Sequence, residues 1–363
     1  MDLDLDYVLK NKEKLKNNKW LLVSSLQKAI RRGFSEEAKT IWDVVKELDK
    51  FHATYRTSII AIEDIGLGNE SLVHDFLSTS LKKANLIEKG GDSYIRKTIE
   101  DLALSTKDRT ACDATWLASK MDWNKSLSDD FLKGFYKDES NDFIERVLAG
   151  WMLVGTKKIK HNFITERDEL SNIDVFIELN RSMGVDEKTL EIVSASYPYQ
   201  KEPHIFAYPL LKIKLEKEKG MTLGKYVTGD SFSKKIDKNI YWNHGIPILY
   251  AAIDGHTSEG KRIIERIKDY PQISNLIKNV SEDGQLYLLK HALFKAEGQI
   301  VNKRLFYPTA SNIYRSSQNF YVDGKTNVSK LIDCIEKMLP EINDMRTRAL
   351  DYSFSEKKQF KSQ

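Results

Sequence analysis

The stretch Gly255–Arg262 reads GHTSEGKR, which has the spacing of a phosphate-binding loop, G-x-x-x-x-G-K, up to its last position. In such a loop the glycines let backbone amides cradle phosphates, the lysine reaches them, and a following Ser or Thr hydroxyl ligates magnesium. Here that last position is Arg262. A nucleotide-dependent enzyme using Gly255–Lys261 therefore ranks last among the readings of this segment. Two others stay open. One is a corner between two helices, with Thr257 or Ser258 capping the second. The other keeps exposed amides, Lys261 and Arg262 as a contact for a nucleic-acid phosphate, without hydrolysis.

Ser58–Asp64, SIIAIED, has the apolar run followed by acids of a magnesium-binding ATPase strand. Without a sound phosphate loop that pattern has little meaning. On a helix, Glu63 and Asp64 would sit at a C-terminus, where the dipole disfavours acids. A cation should resolve the conflict, and Arg31, Arg32 or Arg56 are candidates. The expectation is a structural ion-pair network of Arg56, Glu63 and Asp64. Lys28, Arg31 and Arg32 can alternatively grip phosphates. Lys28 is the one expected to face solvent, since its ammonium stem suits water and phosphate alike.

The segment Lys303–Lys325, KRLFYPTASNIYRSSQNFYVDGK, interleaves cations with rings. Single-stranded nucleic acid needs that mixture, because bases stack on aromatic faces while cations follow the backbone. Lys303, Arg304, Phe306, Tyr307, Tyr314, Arg315 and Tyr321 are the candidate contacts. The competing reading is a half-buried loop whose aromatics complete the core.

Other chemistries find no support. His52, His74, His161, His204, His244, His256 and His291 lack metal-ligand spacing, so no metal is expected. There is no G-x-S-x-G elbow, and Cys112 has no local catalytic signature. Asp129-Asp130 reads as a helix start and not an acid–base pair. No cofactor and no enzymatic activity are expected.

The elements that must position these residues are helices. Leu22, Leu26 and Ile30 recur every fourth residue and predict a helix over Lys19–Arg32, ended by Gly33. Ser35 is the expected cap of a second helix that buries Ala38, Ile41, Trp42, Val45 and Leu48. A third should begin near Thr54 and close at Gly66, and a fourth should start about Ser71. Further helices are expected around Tyr94–Ser105, Thr110–Met121, Asp129–Tyr136 and Asn141–Val154, with Ser128 and Ser140 as caps. Tyr197–Pro209 holds three prolines and should be an extended connection. Gly220–Asn243 could hold a short hairpin. Helical patterning returns over Ile246–Ile267, near Gln285–Ala296 and over Lys330–Leu350, before a polar tail.

Seven prolines in 363 residues, with helical periodicity nearly throughout, predict an all-α chain. A formal net charge of +4 argues against a polycation but permits a local basic face. The two cysteines, Cys112 and Cys334, exclude a disulfide framework. The N-terminus lacks the basic and apolar regions of a secretory signal, and no apolar run could span a bilayer. A cytoplasmic or nucleoid-associated location is expected, without a membrane partner.

Between Leu22 and Leu77 the order of residues resembles the C-terminal helical region of the RarA family, the clamp-loader-like AAA+ ATPases that also include the Werner-helicase-interacting proteins. The resemblance rests on Ser25, Leu26, Lys28 and Arg31, then Ala38 and Trp42, then Arg56, Ile60 and Ala61 before Glu63-Asp64-Ile65-Gly66. The set is moderately specific in order, and each element alone is weak. It implies a helical collar, assembly into oligomers, and a DNA or replisome address. The family's ATPase half precedes this region, so ATP-driven remodelling is not carried over. A motorless relative of this kind would suit a phage or a mobile element, acting in the host cytoplasm if phage-encoded.

The expected organisation is a RarA-like helical domain over 1–136, a second mainly helical region over 137–350 with an extended insertion at 197–243, and a flexible tail over 351–363. The expected function is a non-enzymatic factor that binds single-stranded or junction DNA in replication, recombination or transcription, and positions a polymerase or other replisome component. The alternative is a protein-interaction module that mimics the RarA-family collar. A homo-oligomer fits either.

Overall fold

In a computed structural model of the chain, the stripe Leu22, Leu26 and Ile30 lies on a helix over Lys19–Arg32, as its period requires. The structure describes residues 13, 19–80, 83–108, 110–118, 123–155, 172–197, 203–217, 252–253, 257–280, 282, 285–286, 288–290, 292–293, 296 and 328–356. Along them run α1 (Lys19–Arg32), α2 (Ser35–Leu48) and α3 (Lys50–Ile60), then a π-helical turn, Ala61–Ile65, and a 3-10 turn, Gly66–Asn69. There follow α4 (Glu70–Ser80), α5 (Lys83–Glu88), α6 (Asp92–Leu104), α7 (Thr110–Ala118), α8 (Asp129–Lys137), α9 (Phe143–Val154), α10 (Ile173–Ser182) and α11 (Glu187–Ser196). A second 3-10 turn, Pro203–Phe206, leads to α12 (Tyr208–Lys217), α13 (Ser258–Lys268), α14 (Pro271–Ile277) and α15 (Val328–Glu356). No strand occurs among the described residues, and the fold is all-α. No helix among them is long and apolar enough to cross a membrane.

Local chemistry explains most boundaries. Gly33 takes φ 79°, its amide bonds Ile30 O at 3.1 Å, and the Phe34 amide bonds Ala29 O at 2.9 Å. These are the two bonds of a Schellman close. Phe34 is then already the N-cap of α2, so Ser35 is its first helical residue and not the expected cap. Ser128 does cap α8, accepting from the Phe131 amide, whereas Asp142 and not Ser140 caps α9. α15 continues to Glu356, past the expected start of the tail.

The described part of 197–243 is helical, against the expectation of an extended connection. Pro203 opens the second 3-10 turn and Pro209 is the second residue of α12. Proline is tolerated there, because the first amides of a helix have no intrahelical partner. Residues 218–251, which hold the expected hairpin, lie outside the described residues.

The chain divides into two compact units. The first comprises Met1–Thr54, Lys234–Leu305 and Arg315–Gln363, and the second Tyr55–Ser233 and Phe306–Tyr314. In the first, α1 packs on α2, and α13 and α14 pack on α15. Trp42, Leu22 and Ile30 are fully buried there. In the second, Tyr136, Phe176 and Phe206 form a chain of edge-on rings, each step 5.3 Å between centroids. The expected boundary at 136–137 falls inside this unit, where the α9 side chain of Arg146 donates from Nε to Tyr136 O at 2.8 Å.

Gly150 lets α8 and α9 approach this closely. A Cβ there would lie 2.7 Å from Tyr136 Cε2 and 2.9 Å from Phe176 Cε2. The Tyr136 ring cannot swing aside easily, because its hydroxyl donates to buried Asn180 Oδ1 at 2.9 Å. Gly150→Ala should therefore lower the unfolding free energy by about 2 kcal/mol. An unchanged urea midpoint would show that the ring yields without cost.

Candidate functional site

The acids expected to be in conflict with a helix end, Glu63 and Asp64, lie in the π-helical turn that follows α3. A π turn inserts a residue into the helical ladder, which re-aims the carbonyls and often marks a site. Here Ile62 O accepts from the Tyr208 hydroxyl, and Asp64 O accepts from the Asp108 amide at 3.1 Å. Gly66 then takes φ 48°, and a Cβ on it would lie 3.1 Å from Asp108 O.

Asp64 and Lys107 are both 0% exposed. Lys107 Nζ donates to Leu102 O at 2.9 Å, Ala103 O at 2.8 Å and Ser105 O at 2.5 Å, closing the end of α6. Burial pushes the Lys107 ammonium down to about 7, and the negative charge of Asp64 opposes that shift. Such a depressed lysine can serve as a nucleophile elsewhere. Here its three donors are all committed to carbonyls, so it acts as a clamp on a helix end.

Beside this clamp, His204 Nδ1 lies 3.1 Å from Thr115 Oγ1. The Thr115 hydroxyl donates to Ala111 O at 2.8 Å, so it accepts from the His204 Nδ1–H. His204 Nε2 points to Glu63 Oε1 at 3.8 Å. The turn thus joins the ends of α3 and α6, α7 and the second 3-10 turn through polar contacts, and this arrangement is scaffold. Sequence reading missed Lys107, Thr115, His204 and Tyr208. Of these only Lys107 left a signal, as a cation just past a helix C-terminus.

The other expected residues separate. Lys28 and Arg31 are 7% exposed and Arg32 is 3% exposed. The expectation that Lys28 faces solvent is corrected: α1 buries Ser25, Lys28, Ala29, Arg31 and Arg32 as well as its apolar stripe. Arg56 Nε is buried without a hydrogen-bond partner, and Lys107 is a cation on which Asp64 acts. Lys303, Arg304, Phe306, Tyr307, Tyr314, Arg315 and Tyr321 lie outside the described residues.

Lys261 and Arg262 do share a surface. They lie in the first turns of α13, which buries Gly260, Ile263, Ile264 and Ile267. Its outer face exposes Lys261, Arg262 and Arg266, with Glu265 as the one acid among them. The helix start is a capped corner. Thr257 Oγ1 accepts from the Gly260 amide at 3.0 Å, and Thr257 O accepts from the Lys261 amide at 3.0 Å. Two amides that a nucleotide phosphate would need are thereby taken. Among the described residues no group of three His, Cys, Asp or Glu is placed to hold a metal.

No protein-family model, no curated protein and no solved structure matches the chain.

Proposed function

We propose that this chain is a non-enzymatic DNA-binding accessory factor, acting on single-stranded or junction DNA and positioning a polymerase or other component of replication, recombination or transcription. The observation that carries this reading is the outer face of α13, where Lys261, Arg262 and Arg266 stand exposed together. Cations spaced along one helix face can follow successive phosphates and release their counterions. The cap at Thr257 favours a phosphate contact by side chains over a nucleotide held by the loop. The RarA-like order of residues over 22–77 supplies the replication or recombination address, as a resemblance.

Binding of single- and double-stranded oligonucleotides across a salt series tests the reading. The wild type should bind at low salt with an affinity that falls steeply as salt rises. Lys261→Glu with Arg262→Glu should weaken binding at least tenfold and flatten the salt slope by about 2. A wild type that binds no oligonucleotide at low salt would overturn the reading. Co-elution of such a protein with a replisome component would then favour the interaction module.

A further inference from the structure

The cationic flank of α13 runs on into a ring. Arg262 and Arg266 stand one turn apart, about 6 Å along the helix axis. Tyr270 follows four residues later, where α13 has closed and α14 begins. Its backbone is fixed there. The amide donates to Ile267 O at 3.2 Å, and the carbonyl accepts from the Ile273 and Ser274 amides, both at 2.8 Å. Its side chain is fixed as well, because the hydroxyl donates to Glu341 Oε1 on α15. That bond raises the hydroxyl above its ordinary range, desolvation adds to it, and Arg266 opposes it. Arg266 therefore lies close to the same hydroxyl.

Lys337 is exposed one turn before Glu341 on α15, so it shares that helix face. The Tyr270–Glu341 bond thus brings a partly exposed ring together with cations of two helices, Arg266 of α13 and Lys337 of α15. Among the described residues none of Arg262, Arg266 and Lys337 is held in an ion pair. Two acids stand with them, Glu265 on α13 and Glu341, whose carboxylate is engaged by the tyrosine.

We infer that Arg262, Arg266 and Lys337 follow the backbone of a single strand that crosses from α13 to α15, while an unpaired base stacks on Tyr270. A ring already held at its backbone and its hydroxyl loses little freedom when a base settles on it, so the stacking free energy is kept. Stacking of this kind needs an unpaired base but no particular one. The inference rests on the DNA-binding reading. It adds a preference for single strands and two contacts outside α13, Tyr270 and Lys337.

The test uses fluorescence anisotropy with an oligothymidine, an abasic strand of the same length, and a duplex. The wild type should bind oligothymidine at least about fivefold more tightly than the abasic strand. Tyr270→Leu fills similar space without a π-face, and it should erase that preference while leaving the abasic-strand affinity unchanged. Tyr270→Phe keeps the ring and should keep most of the preference. Lys337→Gln should weaken binding of both single strands and lower the salt slope by about 1. A Tyr270→Leu protein that keeps the preference overturns the platform, as does a wild type that binds the two strands equally. An unchanged salt slope in Lys337→Gln overturns the path onto α15. In each of these cases DNA binding on α13 still stands, whereas a wild type that binds none of the three probes removes both proposals.

Discussion

Gly68→Ala is expected to destabilise the protein by about 3 kcal/mol, at the upper end of what a single added methyl does. The 3-10 turn Gly66–Asn69 lies directly on the segment that leaves α6. Asn69 Nδ2 donates to Ser105 Oγ at 2.9 Å, and the Asp108 amide reaches back to Asp64 O at 3.1 Å. A Cβ on Gly68 would lie 2.5 Å from Thr106 O and 3.1 Å from Thr106 C. Both sides of that contact are backbone, so neither can rotate away. The two turns would have to part, and the Asp64–Asp108 bond and the seal over Lys107 would part with them. Gly134→Ala provides the contrast. That glycine lies inside α8, and a Cβ there would meet nothing within 4 Å. Alanine should then stabilise by about 1 kcal/mol through helix propensity. Urea unfolding of both variants should move the midpoints in opposite directions with little change in slope. Equal midpoints for Gly68→Ala and the wild type would mean that the turn is not held against Thr106.

The same turn shows where sequence reading stops. The helix over Lys19–Arg32 was legible because apolar residues recur at helical spacing and glycine marks its end. The stretch AIEDI also reads as helix, since a π turn differs from an α turn by one inserted residue and has no composition of its own. What the sequence did show was strain, two acids at a helix end. Lys107, a cation that Asp64 acts on, lies at a different helix end, and no local pattern could place it there. Burial was misread for the same reason. Lys28, Arg31 and Arg32 lie off the apolar stripe of α1, and periodicity assigns such positions to water, yet packing around a helix is a property of its neighbours. The capped corner at Thr257 was legible, because a cap acts within four residues of its helix. The bond between Tyr270 and Glu341 was not legible, because it joins residues 71 apart in the chain.

Lys107 carries the second large effect, a stability that rises with pH. Its ammonium is pushed from its ordinary value of 10.5 down to about 7 by complete burial, with Asp64 opposing. In the unfolded chain a lysine keeps its proton to about 10.4. Between these values the unfolded state therefore binds more protons than the folded state, and the unfolding free energy increases as pH rises. The slope approaches 1.36 kcal/mol per pH unit, which accumulates to about 3 kcal/mol between pH 7 and 9.5. Above about pH 10 the sign reverses. Tyr94 is raised to about 12, chiefly by burial. Lys97 is raised by its bonds to Asp101 and Glu100, and Lys212 by Glu70, against its own burial. Those groups hold protons that the unfolded chain has released, so stability falls there. Lys107→Met keeps the length of the side chain and removes the proton. The variant loses the donors for Leu102 O, Ala103 O and Ser105 O, and it should show a flat profile from pH 7 to 9.5. If the variant retains the rise, another group carries it and the Lys107 ammonium stays protonated throughout. If the rise is lost, Lys107 at neutral pH is a buried amine poised between two charge states. The end of α6 and the acidic turn Ala61–Ile65 would then be held together at a cost that alkaline conditions relieve.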